Sequence, residues 1–327
     1  MPQILLVKTS SMGDVIHNLP VIADIRAHYP TASFDWMVEE SFAEIPHLHS
    51  QVREIIPVAV RRWRKSLFSP NTWGEIRQLN RHLKNTRYDA IIDTQGLLKS
   101  AAVATLAHGE SFGMNFHSAR EPIASLFYQH TFDIPRNQHA VNRNRALAAL
   151  SLNYQIPESA PDYGLNLVAQ RIKLADAFTL PGRYVVFLHG TSRDSKLWPI
   201  AHWITLAEQL EKYDLKILLP WSNPAEEGRA RAIADNASNA IILPKLRLTP
   251  LAAILANAEL NIGVDTGLMH LSTALDKPSI AIYTDTDPVY TGVLPSVKNL
   301  AVNIGGKAQI PDTRSVLALA RTFINKD

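Results

Sequence analysis

The sequence contains no cysteine. That excludes a disulfide framework and thiolate metal sites, and it removes cysteine nucleophiles from the available mechanisms. No window approaches the roughly 18 uninterrupted apolar residues of a membrane span, so any contact with a bilayer is expected to be peripheral. The N-terminus runs Met-Pro-Gln directly into an apolar stretch, Ile4 to Val7, without the basic region of a secretory signal, and the expected location is cytoplasmic. Tandem repeats at solenoid spacing are missing. The net charge is only +3, and no RNA- or DNA-binding motif accompanies it, so nucleic acid is not an expected partner. What the chain does have is a globular composition, 46% hydrophobic and 19% charged, which suffices to bury real cores.

At 327 residues the chain exceeds one typical core, and the usual size of about 100 to 200 residues per domain predicts two domains. Short apolar runs alternate with stretches of helical period, the grammar of strand-helix units in a parallel sheet. The first half predicts strands at 4–7, 33–38, 54–58 and 88–93, with helices near 14–28, 72–86 and 97–107. Residues 153–183, punctuated by Pro157, Pro161, Gly164, Pro181 and Gly182, read as a connection with one short helix. The same grammar then returns, with strands at 184–188, 216–219, 240–243, 260–264 and 279–283 and helices between them. Two doubly wound α/β domains would bind ligands beyond the carboxyl ends of their strands, at a central cleft.

The chemistry-bearing residues sit on those loops. Lys8-Thr9-Ser10-Ser11-Met12-Gly13-Asp14 joins the first strand to an amphipathic helix. Gly13 permits close approach to the backbone, and Asp14 reads either as a first-turn acid or as a general base for a sugar hydroxyl. The loop matches neither the Walker pattern nor GxGxxG. After the first strand of the second half comes His189-Gly190-Thr191-Ser192-Arg193-Asp194-Ser195-Lys196. The hydroxyls of Thr191 and Ser192 with Lys196 suit a diphosphate, and Lys196 reads as a solvated lysine or as a cation for a leaving group. Gly263-Val264-Asp265-Thr266-Gly267-Leu268-Met269-His270 carries a strand into a helix whose free N–H groups form an anion site. Asp265 there reads as a cap or a sugar ligand, and His270 as a packed or a ligand-facing ring. Glu226 and Glu227 follow another strand, as ribose acceptors or helix-start acids. Arg61-Arg62-Trp63-Arg64-Lys65 is a charged turn or an anion clamp, and Arg120 adds a donor near Asn115 and His117.

Taken in series, KTSSMGDVIHNLP, FDWMVEE, IPVAVRRWRK, IIDTQGLLKSA, AREPIASLFY, FLHGTSRDSKLWP, LPW with its following acids, and VDTGLMHL resemble the lipopolysaccharide heptosyltransferases of glycosyltransferase family 9. The resemblance spans nearly the whole chain. It implies a GT-B fold with an acceptor-binding Rossmann-like domain over 1–160 and a nucleotide-sugar-binding one over 161–310. A terminal helix over 311–327 would return to the first domain. It implies transfer of L-glycero-D-manno-heptose from ADP-heptose to the Kdo of Kdo2-lipid A, with inversion, without metal or cofactor, on the cytoplasmic face of the inner membrane. By position, Asp14 is the base and Lys196 the diphosphate contact. Thr191, Ser192, Glu226, Asp265, Thr266, Gly267 and His270 face the donor. Ser10, Gly13, Arg61, Arg62, Arg64, Lys65 and Arg120 face the acceptor. A heptosyltransferase using a heptose acceptor, or a sugar-nucleotide epimerase of the same architecture, are the alternatives.

Overall fold

The computed structural model describes residues 1–165, 180–298 and 300–324. The chain divides into two compact units, Met1–Gly164 and Leu165–Asp327. The boundary falls four residues beyond the expected one, and the short helix expected in the connection lies largely outside the described residues.

The first unit holds a six-stranded, all-parallel sheet: β1 (Gln3–Val7), β2 (Ser33–Glu39), β3 (Val52–Val58), β4 (Arg87–Asp93), β5 (His108–Met114) and β6 (His130–Phe132). Their order is β3-β2-β1-β4-β5-β6. In β1 every residue from Ile4 to Val7 is buried, as a parallel strand covered on both faces requires, which is why it reads as an unbroken apolar run. Helix Pro70–Lys84 starts with proline at its first turn and turns Leu79 and Leu83, one helical turn apart, into a core with Leu5, Val7, Ile91 and Val103.

The second unit repeats the plan with β7 (Tyr184–Leu188), β8 (Lys216–Leu219), β9 (Ala240–Ile242), β10 (Leu260–Val264), β11 (Ser279–Tyr283) and β12 (Ala301–Gly305), again all parallel. The order β12-β11-β10-β7-β8-β9 is the same 3-2-1-4-5-6 arrangement read from the other edge. Helix Ile200–Glu211 sends Trp203, Leu206, Ala207 and Leu210 into its core at helical spacing. Full burial of one such side chain contributes about 1.5–3 kcal/mol.

Three expectations change. The helix expected near 14–28 is two helices, Met12–Ile16 and Pro20–His28, because Pro20 starts a new first turn. Strands β5, β6 and β12 and helix Ala140–Ser151 are additional elements. The terminal helix, Thr313–Ile324, which was expected to return to the first domain, buries Val316, Leu317 and Ala320 in the core of the second unit. The Trp198 indole N–H donates to the Pro311 carbonyl at 2.8 Å and fixes the chain just before that helix.

Candidate active site

In each sheet the strand order reverses between two neighbouring strands, β1 and β4 in the first unit and β7 and β10 in the second. Loops leaving these strands diverge and open a crevice at the carboxyl edge, the place where such sheets bind ligands.

In the first unit the crevice is built from the loops after β1 and β4. The Gln95 side-chain carbonyl accepts from the Thr9 and Ser10 N–H groups at 3.1 and 3.0 Å, joining the two loops. Lys8 is buried beneath them, its Nζ donating to the Thr94 carbonyl at 2.8 Å, and burial pushes its pKa down to about 8 despite the fields of Asp14 and Asp93. Asp93 is fully buried, and that burial raises its pKa. Its carboxylate accepts from the Tyr128 hydroxyl and the Gln95 N–H, both at 2.8 Å. Gly113 makes this possible: a Cβ there would stand 2.2 Å from the Tyr128 ring.

Asp14 lies on the first turn of the helix after this loop. The Ser11 N–H and hydroxyl donate to its Oδ2 at 2.9 and 3.1 Å, and Arg120 Nη1 stands 3.5 Å from the same oxygen. These contacts all fall on Oδ2. Lys99 donates to the Ser10 hydroxyl at 2.7 Å. Its pKa is lowered first by partial burial and then by Arg61, with Glu39 opposing, so Arg61, Arg64 and Lys99 share one electrostatic neighbourhood. Glu39 is buried at the end of β2 and accepts from the Arg61 N–H at 3.0 Å.

In the second unit the loops after β7 and β10 meet. Thr191 donates to the Asp265 carbonyl at 2.8 Å, and Lys196 reaches Asp265 Oδ2 at 2.5 Å. Thr286, beyond β11, donates to the same carboxylate oxygen at 2.7 Å. Helix Gly267–Ala274 begins immediately afterwards with Thr266 in extended conformation at its cap, so its first N–H groups open toward the crevice. After β8, Asn223 caps helix Pro224–Ala234 by accepting from the Glu226 N–H, while Glu226 Oε2 accepts from the Ser222 N–H and hydroxyl, each at 2.7 Å. Glu226 also leans over Gly190, which joins this loop to the one after β7. His189 at the end of β7 is buried, and burial, helped by Arg229, lowers its pKa to about 4.

Ser10, Asp14 and Arg120 thus meet in the first unit, with Arg61 and Arg64 in the electrostatic neighbourhood of Lys99, and Thr191, Lys196 and Asp265 meet in the second beside the helix start at Thr266 and Gly267, with Glu226 over Gly190. Arg62 differs: it pairs with Glu40 at 3.1 Å and Glu75 at 2.9 Å, so its charge is committed to the protein's own carboxylates. Lys65 and Ser192 are exposed, and His270 is buried one turn into its helix. Sequence reasoning passed over Lys99, Glu39 and Thr286. Glu39 had a signal, being a charged residue at the carboxyl end of the apolar strand β2, whereas Lys99 lies in the first turn of helix Leu98–Ala104, past the loop after β4.

Glycosyltransferase family 9 (heptosyltransferase) matches residues 76–318. The chain is 47% identical over 291 residues to lipopolysaccharide heptosyltransferase 1 of Escherichia coli strain K12, covering 89% of this chain and 90% of that protein. Among solved structures, E. coli heptosyltransferase WaaC with ADP superposes with a TM-score of 0.89 at 43% identity, covering 98% of this chain and 99% of that one. The same enzyme with ADP-2-deoxy-2-fluoro heptose gives 0.87 at 42% identity over the same shares.

Proposed function

The chain belongs to glycosyltransferase family 9, the heptosyltransferases, and from that membership we propose that it moves L-glycero-D-manno-heptose from ADP-heptose to the Kdo of Kdo2-lipid A. The donor is supported by relatives solved with ADP and with ADP-2-deoxy-2-fluoro heptose, and the choice of acceptor is what the sequence resemblance implies. Because the acceptor is a membrane lipid, the protein works peripherally at the cytoplasmic face of the inner membrane. Among the described residues no helix is long and apolar enough to cross a bilayer.

The two units divide the reaction. In the first, Asp14 Oδ1 takes the proton from a Kdo hydroxyl, while Oδ2 is held by Ser11 and faced by Arg120. The freed oxygen forms a bond to the anomeric carbon of heptose as the bond from that carbon to the diphosphate breaks, inverting the configuration. The electron pair leaves with ADP. In the second unit, Lys196 and the N–H groups at the start of helix Gly267–Ala274 receive the charge that gathers on the diphosphate, which makes a metal ion unnecessary. Glu226 accepts from the adenosine ribose, and Thr191 and Asp265 orient the phosphates and the sugar. Arg61, Arg64, Lys65 and Arg120 meet the anionic groups of the acceptor.

The observation that carries this reading is the meeting of Lys196, Thr191 and Asp265 in front of a helix N-terminus, in a chain of this family. Its test is mass-spectrometric analysis of purified protein incubated with ADP-heptose and de-acylated Kdo2-lipid A in the presence of a chelator. One added heptose together with free ADP is the expected result. Heptose added only to a heptose-bearing core would move the assignment to the other acceptor class. Donor consumed without any acceptor would point to an epimerase.

A further inference from the structure

The segment after β3 carries two adjacent arginines that the fold treats differently. Arg62 is neutralised by Glu40 and Glu75, whereas Arg61 is exposed and makes no ion pair among the described residues. Arg61 is nonetheless placed from both ends by the loop after β2. At the main chain its N–H donates to Glu39 Oε1 at 3.0 Å. At the tip its Cζ stands over the face of the Phe42 ring, 5.3 Å from the centroid. Phe42 closes the short 3₁₀ turn Glu40–Phe42 that directly follows Glu39, so both contacts come from one tight stretch of chain.

The kind of contact matters. A carboxylate would fix the guanidinium and also cancel its charge, as happens at Arg62. An aromatic face orients a guanidinium and leaves its N–H donors and its charge open to an incoming anion. Glu39 is tied in turn to the loop that leads to Asp14. Its N–H donates to the Thr9 carbonyl at 3.1 Å, and two residues further on the Ser11 N–H donates to Asp14 at 2.9 Å. One residue at the end of β2 thus references both the Arg61 cation and the Asp14 loop. Glu39 is 2% exposed, and its Oε2 is buried without a hydrogen-bond partner among the described residues. Only Oε1 is engaged, so a carboxamide in its place keeps the bond to Arg61 and breaks no other.

We propose that Glu39 and Phe42 are positioning residues for the acceptor, holding Arg61 as an unpaired, pre-oriented cation for a carboxylate or phosphate of the acceptor. A cation placed before the substrate arrives needs no ordering of a long side chain on binding. The inference rests on the proposed heptose transfer for the statement that Arg61 faces the acceptor. The cradle itself stands on the contacts of Arg61 with Glu39 and Phe42.

The test is steady-state kinetics of the full chain, with de-acylated Kdo2-lipid A and ADP-heptose varied separately. Phe42→Leu is expected to raise KM for the acceptor about two- to fivefold, the weight of one exposed cation–π contact, and Glu39→Ala about tenfold. Glu39→Gln should stay close to wild type, and KM for ADP-heptose and kcat should hardly move in any of the three. In an Arg61→Ala background Phe42→Leu should add nothing, because it acts through Arg61. Full additivity there, or a wild-type acceptor KM in Phe42→Leu, overturns the proposal. Glu39 is buried, so if Glu39→Ala fails to fold, Phe42→Leu and its cycle with Arg61→Ala carry the test. A second readout needs no substrate. The NMR signal of the Arg61 Nε–H, assigned by its loss in Arg61→Lys, should lie upfield under the ring current of Phe42 and move downfield in Phe42→Leu. A signal that does not move overturns the cradle whether or not heptose is transferred. Wild type that transfers no heptose while the signal moves as expected refutes the functional reading and leaves the cradle standing.

Discussion

Lys196 and Asp265 stand 69 residues apart in the chain and are joined by a 2.5 Å ion pair between loops that follow the adjacent strands β7 and β10. Both side chains are more than four-fifths buried. The ammonium is therefore held in place before any donor arrives, and Thr286 fixes the carboxylate from a third loop. A fixed cation next to a helix N-terminus stabilises developing negative charge without reorganising during the reaction.

Lys196→Ala is accordingly expected to lower kcat by about 10²–10³-fold, the range for loss of one preorganised charge-stabilising group. Asp265 keeps its Thr286 donor in this variant, so the fold should survive. Steady-state kinetics with ADP-heptose checks the prediction, and partial recovery in Lys196→Arg would separate charge from geometry. A variant with unchanged kcat would remove Lys196 from the chemistry.

Asp14→Asn keeps the size of the side chain and an acceptor for Ser11 but has no basic oxygen. Turnover is expected to fall about 10²–10⁴-fold, the usual contribution of a general base. Affinity for ADP, which the second unit is proposed to hold, should change little. Calorimetric titration with ADP beside single-turnover transfer reads both quantities.

Much of the fold is legible in the sequence because parallel strands covered on both faces are apolar throughout. Tyr184 to Leu188 and Ser279 to Tyr283 are buried at every position and match the predicted strands. By contrast β5, His-Gly-Glu-Ser-Phe-Gly-Met, has an exposed or half-buried first half and carries two glycines, so its pairing with β4 is decided by tertiary contacts that no local pattern announces. In the sites, loop membership was readable while partnership was not. Arg62 looks like its neighbours Arg61 and Arg64, yet Glu40 and Glu75, 22 and 13 residues away, claim it. The terminal helix has a clear apolar stripe, but a stripe does not say which core it enters.

Stability should depend on pH through two buried histidines. Burial lowers His189 and His49, one in each unit, from 6.5 to about 4. Between these values the unfolded chain binds protons that the folded chain does not, so stability is full above pH 6.5 and is lost as pH falls toward 4. Each shift corresponds to about 3 kcal/mol over that window. Urea unfolding at roughly pH 7, 5.5 and 4.5, which spans the titration, should show falling midpoints. His189→Gln should flatten the dependence by its share. Equal slopes in wild type and variant would mean that His189 titrates normally.

Gly190 offers a subtler test of the donor site. A Cβ at this position would stand 2.6 Å from Glu226 Cγ and 2.8 Å from its Cδ, closer than such contacts occur. What must yield is the side chain of Glu226, whose Oε2 is bound by the Ser222 N–H and hydroxyl. Gly190→Ala should therefore displace the carboxylate that is proposed to accept from the ribose, while the buried strand β7 behind it stays in place. Losing one charge-assisted hydrogen bond of about 1.5–3 kcal/mol predicts a KM for ADP-heptose raised roughly 10–100-fold, with kcat nearly unchanged because the ribose lies away from the reacting bond. Glu226→Ala should raise KM similarly, and the double variant should do little more than either single one, since both act through the same contact. Additive effects would show that Gly190 serves the donor by a route that does not pass through Glu226.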